Sequence, residues 1–353
     1  MKKLFQAVAA TALLAAILTT AAWFLSPVRP ADWAPDPVTP LEGPYATNQK
    51  LSRAAIINLG LGPEDVELGP DGRFYTGLLD GRILSFTSAE DVREFVNTGG
   101  RPLGMAFDTA GHLIVADADR GLLAIAADGT INVLVDANDD DTLRFTDDLV
   151  IDRDGIIWFT NASRRFGVHR YMYDFLEASR TGEVIRFDPA TGETTRIADG
   201  LFFANGIALG PDDAFLLVNE TGTGVIHRFW LRGDREGERD VFASELPGHP
   251  DNLSFNGRDT FWVAMPVVRG GPLEQLGEKP WLRRLLGALP QAWLVPPDRH
   301  AFVIGLSVEG ELVHNLQWTE GTLHSITSVN EYDGELFLGT IADDHVGRYQ
   351  LTR

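Results

Sequence analysis

One frame recurs along this chain and limits what it can fold into. Its first copy is Glu64-Asp-Val-Glu-Leu-Gly-Pro-Asp-Gly72, and residues 103–111, 147–155, 205–213 and 251–259 repeat it. In each copy apolar residues stand two and four places after the first, as with Val66 and Leu68 or Ile207 and Leu209. A turn rich in Gly, Pro and Asp comes at a constant offset of eight, and a second apolar run follows it (RFYTG, HLIVAD, IIWFTN, AFLLVNE, TFWVAM). Alternation cut by turn residues is a strand pattern. A sixth copy, SITSVNEYDGELFLGT from Ser325, is looser and carries one extra residue. A third apolar run trails every hairpin. Repeats of this length made only of strands predict an all-β, six-bladed β-propeller. Residues 49–59 have no blade of their own. They are expected to add an outer strand to the last blade and close the ring.

The chain ahead of the repeats is of another kind. Lys2 and Lys3 precede Leu4 to Leu25, 22 residues without a charge. A signal-peptide core runs about 7–15 residues and a spanning helix about 20, so length favours a transmembrane signal anchor over residues 1–25. The positive end stays in the cytoplasm. The propeller is then on the exported side, periplasmic in a bacterium, or secreted if a peptidase cuts near Ala21-Ala22. Residues 26–48 carry six prolines between Pro27 and Pro44. Proline cannot feed a sheet ladder, so this stretch reads as an extended, semi-rigid linker, with the propeller over 49–353.

Composition closes several function classes. Asp and Glu outnumber Lys and Arg 50 to 30, for a net charge of −20. A phosphate backbone is repelled by that balance, so nucleic acid is not a partner. The chain has no cysteine, which excludes disulfides, thiolate nucleophiles and thiolate-held metals. No G-x-S-x-G elbow, P-loop or dinucleotide fingerprint occurs.

The chemistry lies in the first position of the frame. The first strand of every propeller blade lines the central channel, so equivalent frame positions meet around the axis. Those positions are Glu64, Leu103, Asp147, Asn205 and Asp251. Four of the five carry a side-chain oxygen. Three carboxylates and an amide oxygen converging repel one another unless a cation sits between them. A hard ion taking six to eight oxygens suits the set, Ca²⁺ first and Mg²⁺ or Mn²⁺ next. Asn252 and Asp148 stand one place later, and either is expected to brace the site or to add a ligand, Asn252 first. Taken alone, Asn205-Gly206 is a tight-turn signal; its place in the register makes Asn205 a metal ligand, with Gly206 letting the backbone bend into the channel. Asp136, Asn138, Asp140 and Asp147 match four positions of an EF-hand loop, but Asp141 stands where the sharp turn needs Gly and strand patterns flank it. We read that match as coincidence.

Two insertions break the repeat. Ser163 to Arg180 interrupts the third blade and Pro266 to His300 the fifth. In the second, Trp281, Leu282, Leu285, Leu286 and Leu289 fall on one helical face, with Arg283 and Arg284 beside it. A helix of that kind packs on the propeller rim, covers the site as a lid, or lies on the membrane interface.

The stretches GPEDVELGPDGRFYTG, RPLGMAFDTAGHLIVADADRGLL, FTDDLVIDRDGIIWFTNAS, GLFFANGIALGPDD and LPGHPDNLSF resemble the superfamily of strictosidine synthases, senescence marker protein/gluconolactonases and paraoxonases. The resemblance covers roughly residues 51–350 and is strongest to the strictosidine synthase-like branch that includes the adipocyte plasma membrane-associated protein. It implies a six-bladed propeller with a divalent ion, usually calcium, in the channel. The family's blade-one Glu falls on Glu64, its Asn-Gly on Asn205 and its Pro-Asp on Asp251. Its third-blade Asn is Asp147 here, which adds a charge. Strictosidine synthases proper have a catalytic Glu before the last Asp-Gly hairpin; Thr327 stands there.

The expected function is calcium-dependent hydrolysis of a small lactone or aryl ester. The ion polarises the carbonyl, Asp251 activates water or attacks directly, and His324 serves as an auxiliary base. A strictosidine-type lyase and a non-catalytic, membrane-tethered binding module are the alternatives.

Overall fold

The computed structural model describes residues 1–137, 143–295 and 299–351. The recurring frame becomes the innermost strand of each blade: Glu67–Leu68, Pro102–Phe107, Thr146–Ile151, Ala204–Leu209, Leu253–Phe255 and Ile326–Tyr332. The second and third apolar runs pair with it in sequence order. Each of the six sheets has four antiparallel strands, and the fold is a six-bladed β-propeller. The outermost strand of the last blade is Ala55–Asn58, which pairs antiparallel with His345–Gln350. The beginning and end of the propeller are thereby joined in one sheet, leaving short edges.

The core lies between the blades, where Phe261, Trp262 and Phe302 are fully buried. Nearer the axis the inner strands crowd. A Cβ added at Gly104 would lie 2.7 Å from Asp148 Cα, and one at Gly339 2.1 Å from Glu64 O. Only glycine lets neighbouring backbones approach so closely.

A helix spans Lys2–Leu25. It is long and apolar enough to cross a membrane by length and composition, and none of its most apolar window is buried.

The linker differs from the sequence expectation. Residues 26–48 are largely extended, as their prolines require, but they are laid along the propeller instead of spanning free solvent. Val28 and Trp33 are buried. Glu177 O accepts from Ala31 N at 2.8 Å, and Glu245 O from Thr39 N at 2.9 Å. The buried Arg269 guanidinium donates to Asp36 O at 3.1 Å. Packing of Val28 and Trp33 offsets the loss of chain freedom that keeps such a linker loose.

The two insertions and this strap form a cover over one end of the channel. The first insertion contains helix Tyr171–Glu177, and the second contains helices Pro272–Gln275 and Pro280–Leu286. They interlock: Tyr173 Oη donates to Leu289 O at 2.9 Å and Met172 N to Gln291 Oε1 at 3.2 Å. Asp174, fully buried, accepts from Ser163 and Ser179 hydroxyls at 2.5 and 2.6 Å. The face expected on helix Pro280–Leu286 holds for Leu282, Leu285 and Leu286, which are half-buried, but Trp281 is exposed and Arg283 buried. Of the EF-hand match, Asn138, Asp140 and Asp141 lie outside the described residues. Asp147 belongs to an inner strand.

Candidate functional site

Inner strands acquire their chemistry through β-bulges. Thr146 pairs with Asn161 but Leu149 with Phe159, so one extra residue sits on the inner strand at Asp147-Asp148. The same shift falls between Ala204 and Ile207, at Asn205-Gly206, and between Pro102 and Met105. A bulge re-aims side chains that strict alternation would direct elsewhere. In the sixth blade it falls between Ile326 and Ser328, at Thr327. The Thr327 hydroxyl donates to Glu64 O at 2.9 Å.

Glu64, Asp147, Asn205 and Asn252 are all buried. Asn252 Nδ2 donates to Glu64 Oε1 at 2.8 Å across the channel. Asn252 thus braces Glu64, while its Oδ1 accepts nothing. Glu64 Oε2, Asp147 Oδ2 and Asn205 Oδ1 are likewise buried without a hydrogen-bond partner. Four orphaned acceptor oxygens at one level of the channel carry a large desolvation cost unless a cation meets them. Asp148, by contrast, is spent on structure: its Oδ2 accepts from Ile207 N at 2.9 Å and its Oδ1 from Leu149 N at 2.8 Å, clipping the third blade to the fourth.

Electrostatics tie the set together. Burial, then the charges of Asp251, Asp65 and Asp147, push the Glu64 carboxyl well above its usual range. Burial, Asp251 and Asp148 do the same to Asp147. Burial raises Asp251 to about 7, against a hydrogen bond from Asn205 that lowers it. Arg101 is the one guanidinium acting on both Glu64 and Asp147, and it pulls both down. It is buried, with Nη1 donating to Gly62 O at 2.9 Å and with Nε and Nη2 unpartnered. Sequence reasoning missed Arg101, since a search of the frame's first position for oxygens passes over a cation two places earlier. It also missed Asn219, on the second strand of the fourth blade, whose Nδ2 donates to Asp251 O at 2.5 Å.

The donor set is oxygen-only and acceptor-rich, which fits a hard divalent cation and no soft one. Among the described residues no group of three His, Cys, Asp or Glu is placed to hold a metal ion. Any ion here would rest on carboxylate and amide oxygens together.

The sign of the pH effect follows. In the unfolded chain Asp251 ionises near 3.8, and in the fold near 7. Its contribution to stability is complete below the lower value and lost as pH rises through the higher one. Cation-free protein is therefore expected to lose thermal stability between about pH 4 and 7, and calcium to restore it at pH 7–8. Melting curves with chelator and with calcium across that range check this; equal curves at pH 8 would refute it.

His324 is tied to Asp343. Its Nε2 lies 3.2 Å from Asp343 Oδ1 and its backbone N–H donates to Asp343 Oδ2 at 3.2 Å. His249, beside Pro250-Asp251, is held by Thr221 O at 2.8 Å, and burial lowers its pKa. Above the axis, Tyr171 comes within electrostatic reach of Asp251. Phe175 packs on Phe203 with ring centroids 4.8 Å apart, forming an apolar wall beneath the cover.

Fold and site define a six-bladed propeller with a buried carboxylate–amide ring on its axis. Residues 43–86 match the strictosidine synthase-like N-terminal family and residues 147–234 match strictosidine synthase. Strictosidine synthase-like protein 10 of Arabidopsis thaliana is 37% identical over 84% of this chain and 88% of its own. This chain belongs to the strictosidine synthase-like family. The adipocyte plasma membrane-associated protein of Danio rerio is 31% identical over 93% of this chain and 85% of its own, so that branch is not favoured over the plant one. Among solved structures, a gluconolactonase from Xanthomonas campestris has a TM-score of 0.61 at 20% identity, covering 92% of this chain and 98% of its own. Regucalcin of Agrobacterium tumefaciens, a calcium-binding protein, has a TM-score of 0.57 at 14% identity, covering 84% and 91%. At these identities the two structures show the fold.

Proposed function

We propose that this protein is an enzyme of the hydrolase or lyase kind that opens a small lactone or aryl ester at the axial site, with a divalent cation, calcium first. The observation that carries the reading is the cluster of orphaned oxygens on Glu64, Asp147, Asn205 and Asn252 around Asp251. A bound cation of this kind supplies Lewis-acid polarisation of a carbonyl oxygen. The residues do the rest. Asn252 fixes Glu64, and Asn205 holds the Asp251 carboxylate. Asp251 takes a proton from water or attacks as a nucleophile. The cover excludes bulk water, which strengthens every charge interaction beneath it. The lactonase activity of one structural neighbour and the calcium of another agree with this reading.

Hydrolysis of phenyl acetate and a lactone panel, with calcium and then with chelator, tests it. Activity that vanishes on chelation supports the reading. A folded, cation-loaded protein inert to the whole panel would sink it and favour a non-catalytic binding module. Family membership favours a second reading, a lyase of the strictosidine type. It needs an acid–base residue other than Thr327, whose hydroxyl is committed to Glu64 O.

Asn205 carries its own test. Asn205→Leu removes a neutral oxygen while leaving the three carboxylates, and calcium affinity is expected to fall about 10–100-fold. Calorimetric titration measures it, and an unchanged Kd would return Asn205 to a structural bulge residue.

A further inference from the structure

A short helix that packs on a soluble domain turns its apolar side inward. Helix Pro280–Leu286 does so only in part: Leu282, Leu285 and Leu286 are half-buried, and its one fully buried side chain is an arginine. Arg283 is fully buried, donating to Leu176 O at 2.9 Å and also to Ala31 O, while Trp281 is 56% exposed. Just beyond, Trp293 is 75% and Val295 42% exposed. Outside the N-terminal helix, Trp293 and Trp281 are the two most exposed large apolar side chains among the described residues. Both belong to the cover.

The N-terminal helix ends on this same cover. Arg284 Nε donates to Trp23 O at 3.2 Å, and its guanidinium lies 4.4 Å from the centre of the Trp23 ring. Gly287 presses on the chain just past the helix, where a Cβ would come within 2.5 Å of both Ser26 Oγ and Val28 Cγ2. The helix leaves Phe24 and Leu25 exposed at its end. Tryptophan and arginine at the end of an apolar helix mark a membrane–water boundary. A surface fastened to that end lies within reach of the outer lipid layer, where an amphipathic element sinks about 5–10 Å. The net charge of −20 disfavours an anionic membrane. Zwitterionic lipid, met through tryptophan rather than through charge, fits the patch.

We propose that the face of the cover bearing Trp281, Trp293 and Val295 is seated in the lipid interface. The substrate is then an amphipathic ester or lactone with an acyl chain, taken from the bilayer. The substrate half of the proposal rests on the hydrolase reading and the lipid half does not.

The native chain has no cysteine, so one introduced cysteine takes a spin label uniquely. The full chain, reconstituted in phosphatidylcholine vesicles, would be labelled singly through Trp281→Cys, Trp293→Cys, Ile17→Cys, or Ala89→Cys in a turn at the far end of the channel. Labels at 281 and 293 are expected to show an oxygen-to-nickel accessibility ratio about 3-fold or more above the label at 89, toward the value at 17. Ratios at 281 and 293 equal to that at 89 overturn the proposal, whatever the label at 17 reads. Lipid-buried labels in a protein inert to every ester leave the seating standing and remove only the hydrolase reading. If hydrolysis is found, Trp281→Asp with Trp293→Asp is expected to lower kcat/KM about 10-fold on a long-chain ester in vesicles, with soluble phenyl acetate unchanged. Equal effects on both substrates overturn the substrate half.

Discussion

Asp251→Asn is expected to lower kcat/KM for phenyl acetate by about 10³-fold, the scale of a lost catalytic group in a preorganised site. The fold should survive, because the contacts that build the axis at this residue are main-chain. Asp251 N donates to Ala264 O at 2.9 Å, and Asp251 O accepts from Gly206 N at 3.2 Å and from Asn219 Nδ2. Asparagine keeps all three. It removes one of three axial carboxylates, the one whose charge helps hold protons on Glu64 and Asp147. Two consequences separate a functional loss from simple damage. Cation-free Asp251→Asn should melt about 2–4 °C above cation-free wild type at pH 8, since a buried charge has gone. Calcium should no longer raise its melting temperature. A variant that melts lower and still binds calcium as wild type does would show Asp251 to be structural. If both proteins are inert while only wild type takes up calcium, the cation serves the scaffold and the binding-module reading gains.

Much of the fold was legible because the second strands are buried along almost their whole length and the inner strands carry the repeated apolar pattern. The outermost strands were not. Glu193–Leu201 is exposed over most of its length, and Val92–Asn97 is half exposed, so neither shows alternation. The three-run repeat left them out, and of the outer strands only the one that closes the last blade was expected. That the strap packs on the propeller was not legible, because proline-rich sequence reads only as extended and semi-rigid; its signals were Val28 and Trp33, two apolar residues among the prolines. In the second insertion the leucines were read correctly as a packing side, but Trp281 and Arg283 were exchanged. A buried Arg283 fits nothing in helical periodicity, and only the carbonyls of Leu176 and Ala31, far away in sequence, account for it.

The site was legible to the level of one register. Spacing alone put Glu64, Asp147, Asn205 and Asp251 at equivalent positions, and their charges act on one another in the fold. Spacing could not show the bulges that aim them. Nor could it separate Asp148, which clips two blades, from Asn252, which braces Glu64, since both stand one place after the register.

Gly206→Ala is expected to destabilise the protein by about 3 kcal/mol, at the upper end of overpacking costs. Sequence reasoning gave Gly206 the task of bending the chain into the channel. The structure gives another reason. Gly206 is not in the left-handed region. An added Cβ would lie 2.5 Å from Asn252 Cα, 2.5 Å from Leu253 N and 2.6 Å from Asp251 O. All three are backbone atoms, so no side chain can swing aside. The fourth and fifth blades must part at the point where Gly206 N donates to Asp251 O. That parting shifts Asn205 and Asp251 together, so calcium affinity should fall along with stability. Gly271→Ala is the matched control: its Cβ would find only Val268 O, at 4.0 Å, and its cost should stay within about 1 kcal/mol. Denaturant midpoints read the difference, with unchanged slopes confirming that the folded and unfolded ensembles are otherwise comparable. Equal midpoints for the two variants would mean that the inner strands yield, and that the channel is soft where its chemistry needs it fixed.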